Sequence, residues 1–180
     1  LDVKDDFVEI HVEKWSNPGD PTPGQEFQYV INWCNNRGAA VGPVWLTDTL
    51  PTGVRFVGWE PEQWWQNLWI EQVATDQELA LYGPGLPGDW CQQLYVTLEL
   101  EADVQLDTWL ENTVVITAAT DVFTDNNEYV HQDAQVSETR YELYVDKWFN
   151  TGVLVPGGWV EYNLTYGNWG NTVTPAWLTD

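Results

Sequence analysis

The chain has no methionine, only six lysines and arginines together, two cysteines and two histidines. Set against 28 Asp and Glu, the scarce cations leave a net charge of −22, a field that repels nucleic acid and anionic membrane. No apolar run is long enough to form a membrane-spanning helix, so no direct membrane insertion is expected, and no signal peptide opens the chain at Leu1. A Ser/His/Asp pattern, a metal triad and a phosphate-binding loop are all missing, so the sequence reads as a non-enzyme. Such acidity could belong to a disordered chain. However, 43% hydrophobic residues and 13 tryptophans supply enough apolar surface for a packed core.

What is present is a repeat. Trp45-Leu46-Thr47-Asp48 returns as Trp177-Leu178-Thr179-Asp180. An offset of 133 residues pairs Val12 with Val145, Lys14 with Lys147, Pro23-Gly24 with Pro156-Gly157, Tyr29 with Tyr162 and Asn35 with Asn168. The chain is therefore one full period and about a third of the next. It divides into residues 1–8, a last strand or linker from a preceding unit; 9–137, a complete repeat; and 138–180, the first part of another. Asp180 falls inside a folding unit. The chain thus reads as a window on a longer tandem array, with completion by strands of another chain as the alternative.

Short segments of alternating polarity, divided by Gly, Pro, Asn and Asp clusters, predict strands and no long helix. They lie over 3–15, 26–34, 44–49, 54–59, 69–74, 78–82, 94–101, 110–118 and 128–136, with Tyr141 opening the next unit. Glu60 to Trp65 could hold one helical turn. Many short strands at this spacing predict an all-β, immunoglobulin-like sandwich.

Lys-Trp, then Pro-Gly, an aromatic strand, Asn-Asn-x-Gly and Thr-Asp-Thr-Leu-Pro-x-Gly-Val-x-Phe form a pattern over residues 8 to 136. Pro87-Gly88, Glu111-Asn112-Thr113 and Asp125-Asn126-Asn127 extend it. The pattern resembles the conserved-repeat family of prokaryotic surface proteins called domain of unknown function 11. That resemblance implies a tandem module of adhesins, stalks or filaments and no enzymatic activity. The richness in tryptophan and the insertion from Trp59 to Trp69 depart from it.

Three polar residues share faces with apolar ones. Lys14 follows Val8, Ile10 and Val12 on its strand, Asp48 follows Val44 and Leu46, and Asn112 sits with Leu110, Val114 and Ile116. Lys147 and Asp180 repeat the first two. Buried charges need partners, so these groups should meet. Two forms stand open: a Lys14–Asp48 ion pair with Asn112 bonded to it, or an isopeptide bond between Lys14 and Asn112. Cys34 and Cys91 both fall opposite the apolar side of their strands and suit a disulfide if the chain is extracellular.

Other signals are weaker. Asp121, Asp125 and Asn127, with Asp133 nearby, offer oxygen ligands around one turn, making Ca²⁺ the one cofactor suggested; they lack the spacing of a dedicated loop motif, and a solvated Asx-rich turn is the favoured account. Asn163-Leu164-Thr165 is a glycosylation sequon. His11 and His131 read as ordinary strand residues. Trp64, Trp65 and Trp69 suit either packing, within the core or between subunits, or stacking on sugars. The sequence reading is thus an extracellular or cell-surface structural module. Its partners are copies of itself or neighbouring repeats, by strand complementation where a sheet is incomplete. A polysaccharide-binding module is the alternative.

Overall fold

The computed structural model describes residues 7–62, 68–150, 156–171 and 175–180. The chain falls into two compact units, Leu1–Glu138 and Thr139–Asp180. No helix occurs among the described residues.

Unit 1 holds nine strands: β1 (Ile10–Asn17), β2 (Glu26–Asn35), β3 (Val44–Thr49), β4 (Val54–Pro61), β5 (Ile70–Ala74), β6 (Glu78–Gly83), β7 (Trp90–Leu100), β8 (Trp109–Ala118) and β9 (Glu128–Gln135). They form two antiparallel sheets, β1-β2-β7-β4 and β5-β6-β3-β8-β9. Alternation dictates which side chains enter the space between the sheets. Tyr29, Ile31 and Trp33 of β2 meet Leu94, Val96 and Leu98 of β7 on one inner face, and Leu46, Leu79, Leu81, Val114 and Ile116 line the other. All are buried. Val8, which the sequence places with a preceding segment, is buried in this core and bridges Asp121, so it belongs to unit 1.

Two differences in strand bounds have local causes. Residues Trp90–Gln93 extend β7 because they pair with Asn32–Asn35 of the longer β2. Glu60 and Pro61 continue β4 against Tyr95 and Leu94 instead of starting a helical turn; Trp64 and Trp65 lie outside the described residues. After β3, the Pro51-Thr52-Gly53 turn needs its glycine. Gly53 has φ +80°, and a Cβ there would meet Val104 Cγ2 at 2.6 Å.

Unit 2 pairs β10 (Leu143–Phe149) with β11 (Tyr162–Asn168). The pairing repeats β1–β2 residue for residue: Leu143↔Asn168 matches Ile10↔Asn35, and Lys147↔Leu164 matches Lys14↔Ile31. Trp169 N–H donates to the Glu142 carbonyl just as Asn36 N–H donates to that of Glu9. Gly24 and Gly157 share the left-handed conformation. The repeat is therefore one of backbone geometry as well as letters. Leu143, Val145 and Tyr166, whose counterparts are buried in unit 1, are exposed here.

Candidate functional site: a buried lysine, aspartate and asparagine

Sheet pairing brings three distant strands to one point. Asp48 pairs with Val114 across β3–β8, which makes Asn112 its diagonal neighbour on the same face. Asn112 in turn pairs with His131 across β8–β9. Asp48, Asn112 and His131 thus form a row on the inner face of the five-stranded sheet. From the opposite sheet, β1 lays Lys14 over this row. Its Nζ forms an ion pair with Asp48 Oδ1 and lies 4.6 Å from the centre of the Tyr29 ring. The Tyr29 ring stands edge-on to His131, with centroids 5.4 Å apart. β1 is held beside β8 and β9, where Val12 N–H donates to the Asn126 carbonyl at 3.2 Å.

Every member of this group is buried: Lys14 is 2% exposed, and Asp48 and Asn112 are fully enclosed. The electrostatics follow from that enclosure. Burial brings the Lys14 ammonium down to about 8, against the opposing pull of Asp48. Burial likewise raises Asp48 above the usual carboxylate range, with Lys14 and then Asn112 pulling the other way. Desolvation and, secondarily, Lys14 keep His131 below its ordinary value, although Asp133 draws it up. Burial pushes the Tyr29 phenol up.

Hydrogen bonding is incomplete in this cluster. Asp48 Oδ2, both amide atoms of Asn112, His131 Nδ1 and the Tyr29 hydroxyl are enclosed without a hydrogen bond of good geometry, Asn112 lying against Asp48 but poorly aligned with it. Each such atom costs about 1–3 kcal/mol in an ordinary core. Four neighbouring side chains with that deficit mark the least core-like part of the sandwich. The inward faces of Lys14, Asp48 and Asn112 were readable from alternation, but His131 and Tyr29 were not placed with them. Pairing across strands joins them, and no local pattern announces it.

Lys147 and Asp180 meet in unit 2 as Lys14 and Asp48 do in unit 1, with Lys147 Nζ 4.5 Å from the Tyr162 ring centre. Here the pair is open to solvent. The counterpart of Asn112 falls outside the 180 residues.

The other residues singled out by the sequence lie apart from this cluster. Cys34 and Cys91 sit directly opposite on β2 and β7 and form a disulfide on the outer face of that sheet. Asp121 and Asn127 bond to each other at 2.6 Å, and Asp121 also accepts from Phe123 N–H, so the turn is closed by its own side chains. No group of three His, Cys, Asp or Glu able to hold a metal occurs among the described residues. Asn163 is half-buried on β11. Trp69 is corrected: it is buried, edge-on to Trp33 and packed over Gly83, and so is unavailable to a sugar or a partner. It lies just before β5, where the absence of a side chain at Gly83 on the neighbouring β6 leaves room for its ring.

No protein-family model and no curated protein matches the chain. Solved structures do. The major pilin subunit of Bacillus cereus, BcpA, aligns over 91% of this chain at 12% identity with a TM-score of 0.50, and a variant of it at 13% identity with a TM-score of 0.56. A cohesin from scaffoldin B of Acetivibrio cellulolyticus aligns over 73% of this chain and 92% of its own, at 8% identity and a TM-score of 0.46. The chain spans 56% of the pilin's length. At these identities the likeness is one of fold: the chain is an all-β, immunoglobulin-like sandwich.

Proposed function

We propose that the chain is a structural module of a secreted or cell-surface filament, stalk or adhesin, assembled from head-to-tail β-sandwich repeats and acting without turnover. The observation that carries this reading is the repeat itself. Register, glycine conformation, backbone hydrogen bonds and the Lys–Asp pair over a tyrosine ring recur in unit 2. Selection on a catalytic centre would not require such duplication, whereas an array of stiff modules would. The pilin likeness in fold and the disulfide, which suits an oxidising compartment, support the same reading. So does the net charge, which keeps arrayed copies soluble and away from nucleic acid. With Trp69 in the core, the sugar-stacking alternative loses one of its three residues.

The test uses antibody raised against the chain on intact cells of the source. Labelling without permeabilisation, together with a reactive species far above 20.7 kDa on a denaturing gel, is the expected outcome. Labelling only after permeabilisation would overturn the surface assignment.

A further inference from the structure

The geometry points to a covalent modification site inside unit 1: we infer that Lys14 Nζ and Asn112 Cγ join in an isopeptide bond, with Asp48 and His131 positioned around the reaction. The inference stands independently of the assembly role proposed above, since every group concerned lies in one sandwich.

Three observations carry it. First, Lys14 and Asn112 come from facing sheets and converge on the same carboxylate, so the amine is held beside a carboxamide with water excluded. Holding two reacting groups in this way removes most of the entropic barrier to their combination. Second, both amide atoms of Asn112 are enclosed without a well-formed hydrogen bond, although the amide lies close enough to Asp48 to act on its carboxylate, a state that is costly for a spectator asparagine and natural for one poised to react. Third, the ion pair can neutralise itself internally. Burial disfavours both charges, so moving one proton from Lys14 to Asp48 yields a free amine and a carboxylic acid at no net cost in protons.

The step then balances. The Lys14 lone pair attacks Asn112 Cγ while the Asp48 acid donates a hydrogen bond to Asn112 Oδ1. One amine proton passes to Nδ2, the Cγ–Nδ2 bond breaks, and ammonia leaves. The product is a secondary amide; no oxidant or other reactant is consumed. Asp48 ends in the protonated form in which it entered the step. His131 Nδ1, enclosed without a partner across the ladder from Asn112, is a positioning residue placed to accept a hydrogen bond from the amide as it forms. The reaction occurs once per molecule.

The experiment is the intact mass of the whole 180-residue chain, reduced and denatured. The expected mass lies below the sequence value by one ammonia, about 17 Da. An amine reagent added after denaturation should label Lys4 and Lys147 but leave Lys14 untouched. Lys147 is a built-in control, because within these 180 residues it has no counterpart of Asn112 to join. Asp48→Ala and Asn112→Ala should both restore the full mass and make Lys14 reactive. Should either variant fail to fold, Asn112→Asp keeps the question answerable. It would lose water in place of ammonia and reach the same final mass as the parent, which a purely structural asparagine would not do. His131→Gln, which retains an acceptor, should complete the bond, whereas His131→Leu should slow its appearance at least tenfold. A parent chain at full mass with Lys14 labelled, or an Asn112→Asp protein that loses no water, overturns the inference. Equal rates in the two His131 variants remove the histidine from it.

Discussion

Replacing Asp48 by alanine would strand the Lys14 ammonium in a buried site, without the one carboxylate it is paired with. At pH 7 the lysine would shed its proton. Starting from an unfolded value of 10.5, that costs about 1.36 kcal/mol for each unit, or between 4 and 5 kcal/mol. Breaking a buried pair by removing one partner costs about 3–5 kcal/mol elsewhere, so the two routes agree. Urea unfolding followed by tryptophan fluorescence reads this directly. With a slope of about 1–3 kcal/mol/M, this charge penalty alone should lower the midpoint by about 2 M, and loss of the cross-link lowers it further. The double substitution Lys14→Met with Asp48→Leu removes both charges at similar volume and should recover that loss. How far it recovers separates the two forms of the site. Full recovery to the parent indicates an ion pair alone. A remaining deficit of about 5 kcal/mol is the loop-closure contribution of a cross-link around a loop of roughly 100 residues. If Asp48→Ala is no less stable than the double variant, the argument from buried charge is refuted.

Further outcomes follow from the same structure. In an Asn112→Leu protein, which cannot form the amide, Lys14 binds its proton less tightly when folded, near 8, than when unfolded, at 10.5. The unfolded chain then holds more protons between those values, so stability should rise by about 2–3 kcal/mol from pH 8 to 10. Above 10 the raised Tyr29 phenol, protonated longer in the folded state, reverses the trend. The cross-linked parent should lack the Lys14 rise, and equal slopes in both proteins would contradict this. Reducing Cys34–Cys91, whose loop spans 57 residues in sequence separation, should cost roughly 4 kcal/mol and lower the urea midpoint; an unchanged midpoint refutes a stabilising role. Trp33→Ala, at the centre of the core beside Trp69, should cost about 3–5 kcal/mol by thermal melting. A loss under about 1 kcal/mol would mean that the indole is poorly packed.

Much of this was legible because a strand's period is two. Val44–Thr49 was placed to the residue, and alternation alone put Lys14, Asp48 and Asn112 on inner faces. It also put the two cysteines on an outer one, where Cys34↔Cys91 proves to be in register. Alternation says which face a residue takes, not which strand it will face. That β3 sits between β6 and β8, and that β1 lies beside β8 and β9, are facts of topology. His131 was therefore read as an ordinary strand residue though it adjoins Asn112. Trp69 was left open between packing and sugar stacking, because a tryptophan beside a Trp-rich insertion carries no periodic signal that decides between them; the core holds it. Unit 2 shows the limit from the other side. The alternation of Leu143, Val145 and Lys147 is as clean as in β1, yet these residues are exposed where no second sheet lies over them among the described residues.

The placement of Cys34–Cys91 has a consequence for proteolysis. The bridge spans β2 and β7 on the outside of the sheet, and the segment it encloses carries the Gly- and Pro-rich loop from Pro84 to Gly88. A protease that cuts once anywhere between the two cysteines opens the backbone without releasing either piece. The nicked chain keeps its full size on a non-reducing gel, and only a thiol reveals the cut. A sandwich stapled in this way can be cut in a loop and still hold together.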